Sequence, residues 1–403
     1  MQPNPDTPPP SPASFDYRPR TRIVFGVNSV ERAGELAREI GARNVLLVTD
    51  PGIVSAGHAG RVKGLLEAAG LAITCFDQVE ENPTTRCVES CVEAARRSPI
   101  DTIIGLGGGS SMDTAKGCNF ILTNGGRMKD YWGVGKAKLP MLPLIAIPTT
   151  GGTGSECQSF ALITDGQTHQ KMACGDPKAG ARIAILDPAL TLSQPTRVTA
   201  CSGIDAIAHA VETAVTRSRS PLSLAFSREA FRLTMTGLPR VLNAPGDLEA
   251  RGWMLLGAAW GGTAIENSML GAAHSAANPL TAHFGIPHGH AVGLMLPHVV
   301  RFNGGEPATA RAYAELAWPA ESAQPPAGPK DVAEQLASRV EGLLELAGLS
   351  RSLKECGVKP EDIPRLAEEA ACQWTAQFNP RPVATADFEV LYAAALEPLT
   401  ANP

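Results

Sequence analysis

No basic run, no C-x2-C pair and no stretch of eighteen apolar residues occurs in this chain of 403 residues, and aromatics make up only 5% of it. With a net charge of −5 and no clustered Lys or Arg, the chain lacks the electrostatic footprint of a nucleic-acid partner or an anionic membrane surface. Without a long apolar run it has no membrane-spanning helix. The nine cysteines are odd in number and lack the C-x2-C spacing. With no secretory signal, they read as reduced thiols in a cytoplasmic protein. Cys87 and Cys91, one helical turn apart, are expected to be small core residues. The N-terminus MQPNPDTPPPSP has no charged region followed by an apolar core, so no signal peptide is expected. Residues 1–16 read as a disordered, proline-rich tail.

The length allows two domains, each with its own core. The first half alternates strands and helices. Strands are expected at 22–25, 44–49, 72–76, 102–106, 144–147 and 181–186, and helices at 29–40, 60–69, 84–97 and from the first glycine loop through Phe120. Repeated βα units imply a parallel sheet covered on both faces, with ligands beyond the carboxyl ends of its strands. After Asp187-Pro188 the strand signal disappears. The fold class expected is an α/β N-terminal Rossmann-like domain over residues 17–195 followed by an all-α C-terminal domain over 196–403. Within the latter, Met254 to Ala273 reads as one Gly- and Ala-rich packed helix, and 319–330 as a surface loop or insertion.

Two glycine loops follow strands directly. The first, GLGGGSSMDTAKG from Gly105 to Gly117, matches neither G-x-G-x-x-G nor the P-loop. Gly107, Gly108 and Gly109 still let the backbone approach a ligand, and Ser110 can cap a helix whose positive end favours a pyrophosphate. The second, PTTGGTGSE from Pro148 to Glu156, offers hydroxyls from Thr149, Thr150, Thr153 and Ser155. Two such loops on one sheet predict a phosphate-containing cofactor. Asp50 ends the second strand, where a carboxylate accepts ribose hydroxyls and repels a 2′-phosphate. That predicts NAD(H) in preference to NADP(H).

The helical half carries a possible metal cage. Asp205 and His209, four apart, share one helix face. His274 and His288 are fourteen apart. On one helix they would stand roughly 21 Å from each other, so they can share an ion only if the chain turns back. Gly285 and Pro287 supply that turn. One carboxylate and three imidazoles suit Fe(II), Zn(II) or a similar divalent ion.

Taken together, GGGSSMDTAK, PTTGGTGSE, ILDPALT, the D-x3-H pair and H…PHGHAVGLMLPHV resemble the iron-containing (group III) alcohol dehydrogenase family over nearly the whole chain. The resemblance implies the dehydroquinate synthase-like fold of that family. It implies an NAD-binding domain, a metal-binding helical domain, an active site in the cleft between them, and a homodimer. By matching positions it assigns the metal to Asp205, His209, His274 and His288. It assigns the cofactor to Asp50, Asn82, Gly108, Gly109, Ser110, Asp113, Thr149, Thr150, Thr153, Lys171 and Leu190. The implied reaction is hydride transfer between the nicotinamide and a metal-bound alkoxide from a small-molecule alcohol, or the reverse reduction of an aldehyde or ketone. Phe160 matches a cleft-lining position, and its ring favours unbranched or apolar alcohols.

One position departs from the pattern. Many members carry a second histidine four residues after His274, where this chain has Asn278. An amide cannot change protonation state near neutral pH. A proton relay then runs through water, the ribose hydroxyls, or His283 or His290, and His283 joins His274 and His288 as an expected catalytic residue. Two other chemistries of the superfamily stay open: hydroxyacid–oxoacid transhydrogenation and a dehydroquinate-synthase-like lyase. Both would need basic residues near the metal to hold an anionic substrate, and Arg301 is the first after the histidines.

Overall fold

A computed structural model describes residues 14–168, 170–318 and 328–397. The first half contains strands β1 (Arg22–Phe25), β2 (Asn44–Val48), β3 (Ala72–Phe76), β4 (Thr102–Gly107), β5 (Gly133–Val134), β6 (Leu144–Pro148), β7 (Phe160–Thr164), β8 (Lys171–Gly175) and β9 (Ile183–Leu186). Interleaved with them are helices α1 (Ala33–Glu39), α2 (Pro51–Ser55), α3 (His58–Ala68), α4 (Thr85–Ala95) and α5 (Gly109–Asn124). Six strands form a parallel sheet in the order β1-β9-β6-β4-β2-β3.

The continuous apolar runs follow from burial on both faces. Leu46, Val48, Ile103 and Ala146 point into one layer, with Val88 of α4 and Met112 of α5. Val45, Leu47, Ile104 and Ile145 point into the other, with Leu36 of α1 and Val62 of α3. The period of two along each strand thus builds two cores from one sheet. Cys87 and Cys91 are buried in the first of them, as their spacing suggests.

A second, three-stranded sheet in the order β5-β8-β7 was not expected from the sequence. β7 and β8 pair antiparallel, Leu162 opposite Ala173. The residues KMACG of β8 are small or flexible and lack the β-branched signature that marks a strand.

Beyond β9 the described chain is helical: α6 (Thr196–Thr213), α7 (Pro221–Asn243), α8 (Leu248–Glu266), α9 (Ala272–Phe284), α10 (His288–Gly304), α11 (Pro307–Ala317), α12 (Pro329–Leu346), α13 (Ile363–Ala371) and α14 (Thr385–Ala395). The single helix expected from Met254 to Ala273 is in fact two. α8 stops at Glu266, whose carboxylate accepts hydrogen bonds from Ser159 N–H and Oγ of the other domain, and α9 starts six residues later. A polar interruption used for a cross-domain contact ended the run. α6 lies at the centre of this half, its alanines admitting close neighbours, and one apolar cluster joins it to α7, α9, α10, α12, α13 and α14. A smaller cluster of Cys157, Ala184, Leu186, Leu255 and Ala259 seals β9 and the second glycine loop against α8. Among the described residues no helix is long and apolar enough to cross a membrane. The tail expected at 1–16 falls mostly, and the insertion at 319–330 largely, outside the described residues.

Candidate metal centre and cofactor cleft

α6 carries Asp205 and His209 one turn apart, both buried. α9 carries buried His274 two residues inside its start. Gly285, in the left-handed conformation at φ +64°, ends α9, and Pro287 precedes α10, whose first residue is His288. The turn foreseen between the two histidines therefore exists. It folds α10 back so that the His274 and His288 rings lie 5.5 Å apart, centroid to centroid. The His209 and His274 rings stack at 4.9 Å.

Donor atoms of Asp205, His209 and His274 all lie within 4.8 Å of one another. Asp205 Oδ1 stands 3.5 Å from His209 Nε2 and 3.4 Å from His274 Nε2. Donors about 2.1 Å from one tetrahedral ion stand about 3.4 Å apart, so the spacing fits. Asp205 Oδ1 and His274 Nε2, which face each other in this group, are buried without a hydrogen-bond partner. Buried polar atoms ordinarily find partners, and an unpartnered carboxylate oxygen and imidazole nitrogen beside His209 Nε2 have the chemistry of a divalent-cation site. His288 lies next to this group through its ring but outside the three converging donors.

The electrostatics agree. Burial alone would raise the Asp205 carboxyl, but His209, with His274 and His288, outweighs it and holds the group well below the usual range. Burial would lower His274; the Glu212 and Asp205 carboxylates overcome it and lift the imidazole to about 9. Burial, then the Lys171 ammonium, hold His288 well below its ordinary value. A cation held there would take the place of the proton on His274.

The residues expected at the cofactor cluster at the carboxyl ends of three neighbouring strands. Asp50 follows β2, the first glycine loop follows β4, and the second follows β6. Asp50 Oδ1 caps α2 by accepting from Ile53 N–H at 3.0 Å, and Oδ2 accepts from Ser111 Oγ at 3.2 Å. Gly107 has φ +144° and lies against Ser111 and Asp50, so no side chain fits there. α5 starts at Gly109 with Gly108 as its cap and no side-chain cap. Ser110 therefore does not cap the helix; it lies within the first turn. Its N–H and those of its neighbours are left for an anion. Gly109 faces Thr153, and Gly108 faces Thr150, so the two loops close one pocket wall. Thr149 N–H donates to Gly107 O at 2.9 Å and ties the loops together.

Beneath them, the buried Lys116 ammonium donates to Ser155 O, Ser155 Oγ and Phe160 O at 2.7, 2.8 and 2.9 Å. Asp113 accepts from Ser155 Oγ at 2.8 Å. Lys171, at the start of β8, has an ammonium lowered by burial, and its charge acts on both Asp113 and Asp205. It thus stands between the loops and the cage. Asn82 adopts φ +52° just before Pro83, in the loop after β3.

Leu190 has no exposed surface and belongs to the apolar layer under the sheet. His283 is nine residues past His274, about 13 Å along α9. Its Nε2 is held by Glu369 at 2.8 Å. His290 Nε2 is bonded to Ser350 O at 2.9 Å.

Asn278, one turn past His274, donates through Nδ2 to Gln373 Oε1 at 3.0 Å. Ser275 Oγ and Thr375 Oγ1 are 2.7 Å apart. These two rungs fasten the 3-10 turn Trp374–Phe378 beside the cage and bring Trp374 within 5.6 Å of Phe160 across the cleft. Arg301 is tied to Glu334 and Glu341 at 2.6 and 2.7 Å, so it is no clamp for an anionic substrate. Sequence reasoning missed Glu212, which bonds His274. Its signal was there: Asp205, His209 and Glu212 follow the i, i+4, i+7 spacing of one helix face.

Residues 19–188 match the model of iron-containing alcohol dehydrogenase, and residues 199–396 match that of the Fe-containing alcohol dehydrogenase family, C-terminal. The chain is 34% identical to alcohol dehydrogenase 4 of Schizosaccharomyces pombe, covering 92% of this chain and 86% of that one. It is 34% identical to the NAD-dependent methanol dehydrogenase of Bacillus methanolicus, covering 93% and 97%. The crystal structure of a 1,3-propanediol oxidoreductase superposes with a TM-score of 0.90 at 31% identity, covering 95% of this chain and 100% of that one. With both halves matched, the chain belongs to the iron-containing alcohol dehydrogenase family.

Proposed function

We propose that the protein is a metal-dependent, NAD-linked alcohol dehydrogenase that also reduces aldehydes or ketones. A divalent ion is held by Asp205, His209, His274 and His288. The observation that carries this reading is the convergence of buried donor atoms of Asp205, His209 and His274 within 4.8 Å, with the His288 ring 5.5 Å from that of His274. When bound, the ion lends Lewis acidity to a substrate oxygen and the nicotinamide exchanges a hydride with the substrate carbon.

The chain's own residues do the rest. The first turn of α5 and the Thr149–Thr153 loop receive the pyrophosphate through N–H and hydroxyl donors. Asp50, held by Ser111 and Ile53, accepts from the ribose and disfavours NADP(H). Asn82, Gly108, Gly109, Ser110, Asp113 and Lys171 complete the cofactor surface. Phe160 and Trp374 wall the substrate side, exclude water, and favour small unbranched or apolar alcohols. Asn278 orients Gln373 and moves no proton, so the alcohol proton leaves through water or a ribose hydroxyl.

Either Fe(II) or Zn(II) suits the donors, and Zn(II) binds a given site more tightly, so the ion found follows supply. The nine free cysteines support a cytoplasmic setting, and the charge balance supports the absence of nucleic-acid and membrane partners. A homodimer is the assembly the family resemblance supports. The test is reduction of NAD and NADP by a panel of alcohols, diols and hydroxy acids, using metal-stripped enzyme supplied with Fe(II), Zn(II) or chelator. Metal-dependent NAD reduction by simple alcohols is expected. Equal activity with and without metal would overturn the reading.

A further inference from the structure

We propose that Glu212 is the positioning residue of the metal cage, fixing the ring of His274 and the first turn of its helix with the two oxygens of one carboxylate. The inference rests on the metal reading above. Glu212 lies on α6, on the same face as Asp205 and His209, and is 3% exposed. Its Oε2 is 2.5 Å from His274 Nδ1, and its Oε1 accepts from Ala273 N–H at 2.7 Å.

Two consequences follow from those contacts. A carboxylate only accepts, so the proton between Glu212 and the ring belongs to His274 Nδ1. That keeps a proton on Nδ1 and leaves Nε2, which has no hydrogen-bond partner and faces Asp205 at 3.4 Å, as the nitrogen whose proton a cation would replace. Meanwhile α9 has no side-chain cap of its own, its cap residue being Gly271. The first N–H groups are satisfied from outside: Ala272 by Asn379 Oδ1 at 3.3 Å and Ala273 by Glu212. Glu212 therefore sets where the helix starts and how the ring on its third residue turns. One helix, α6, then supplies two ligands directly and orients a third on its neighbour. Partners of this kind typically tune metal affinity about 10–100-fold.

Gln in this place has one acceptor oxygen for two donors, so either His274 or Ala273 meets an NH2 group. The experiment compares wild type, Glu212→Gln, Glu212→Asp and Asn379→Ala, each stripped of metal. Zn(II) affinity is read by competition with a chromophoric chelator, and melting is followed with and without Zn(II). Glu212→Gln and Glu212→Asp should bind Zn(II) about 10–100-fold more weakly. Their Zn(II)-induced rise in melting temperature should shrink. Asn379→Ala removes the other α9 partner without touching the ring. It should melt lower in both states and keep wild-type affinity. Wild-type affinity in both Glu212 variants overturns the proposal. So does an equal affinity loss in Asn379→Ala, which would assign the effect to the helix end alone. A wild-type protein that fails to bind Zn(II) or Fe(II) at all would overturn the metal reading instead.

Discussion

Gly289 and Cys201 meet backbone against backbone: a Cβ on Gly289 would overlap the Cys201 carbonyl oxygen and come within 3.1 Å of Asp205 Cβ. This contact presses the first turn of α10, which begins with His288, onto α6 beside Asp205. Gly289→Ala should push that turn away, at a cost of about 1–3 kcal/mol. The variant should fold but retain little metal. Urea midpoint and metal content per chain measure both, and full metal content would refute the account.

Glu156 is fully buried, and neither carboxylate oxygen has a partner. Burial pushes its carboxyl up to about 7. The folded state then holds a proton that the unfolded state has released between about pH 4.5 and 7. Stability must therefore fall as pH rises through that window. Glu156→Gln removes the dependence. Its stability relative to wild type should grow by up to roughly 3 kcal/mol from pH 4.5 to pH 7.5. Denaturant titrations at both pH values test this; a constant difference would contradict it.

Lys116 joins the α5 helix to the second glycine loop through two oxygens of Ser155 and to β7 through Phe160 O. Lys116→Met leaves those acceptors and Asp113 without their cation. The expected loss of stability is about 3–5 kcal/mol. The apparent KM for NAD should rise more than kcat falls, because the loop geometry loosens while the cage is untouched. An unchanged KM would show that the loop holds its shape alone.

Asp50→Gly removes a negative charge from the ribose end at a helix-cap cost of only a few tenths of a kcal/mol. Use of NADP should rise about tenfold relative to NAD, since a repelled 2′-phosphate is no longer repelled. Ratios of kcat/KM for the two cofactors decide it.

The six parallel strands were legible because burial on both faces leaves unbroken apolar runs, as in NVLLV and LIAIP. The approach of Asp205, His209 and His274, with His288 turned back beside them, was legible because Asp205 and His209 share a helix face and Gly285-Ile286-Pro287 forces a turn before His288. The small sheet was not, since β8 pairs through its backbone with residues that carry little strand preference. Nor was Glu212, which looks like a surface acid until the packing of α9 buries it. His283 shares α9 with His274 but stands more than two turns along it, where Glu369 holds its ring.

The proposed ligands stretch from Asp205 to His288 and come from three helices, α6, α9 and α10. An ion held among them acts as a removable staple across the helical half. It closes a long loop that the unfolded chain would otherwise leave open, as a disulfide does elsewhere, but by a bond that a chelator or a drop in pH can undo. Metal scarcity would then shorten the life of the protein as well as silence it, with proteolysis beginning in the helical half.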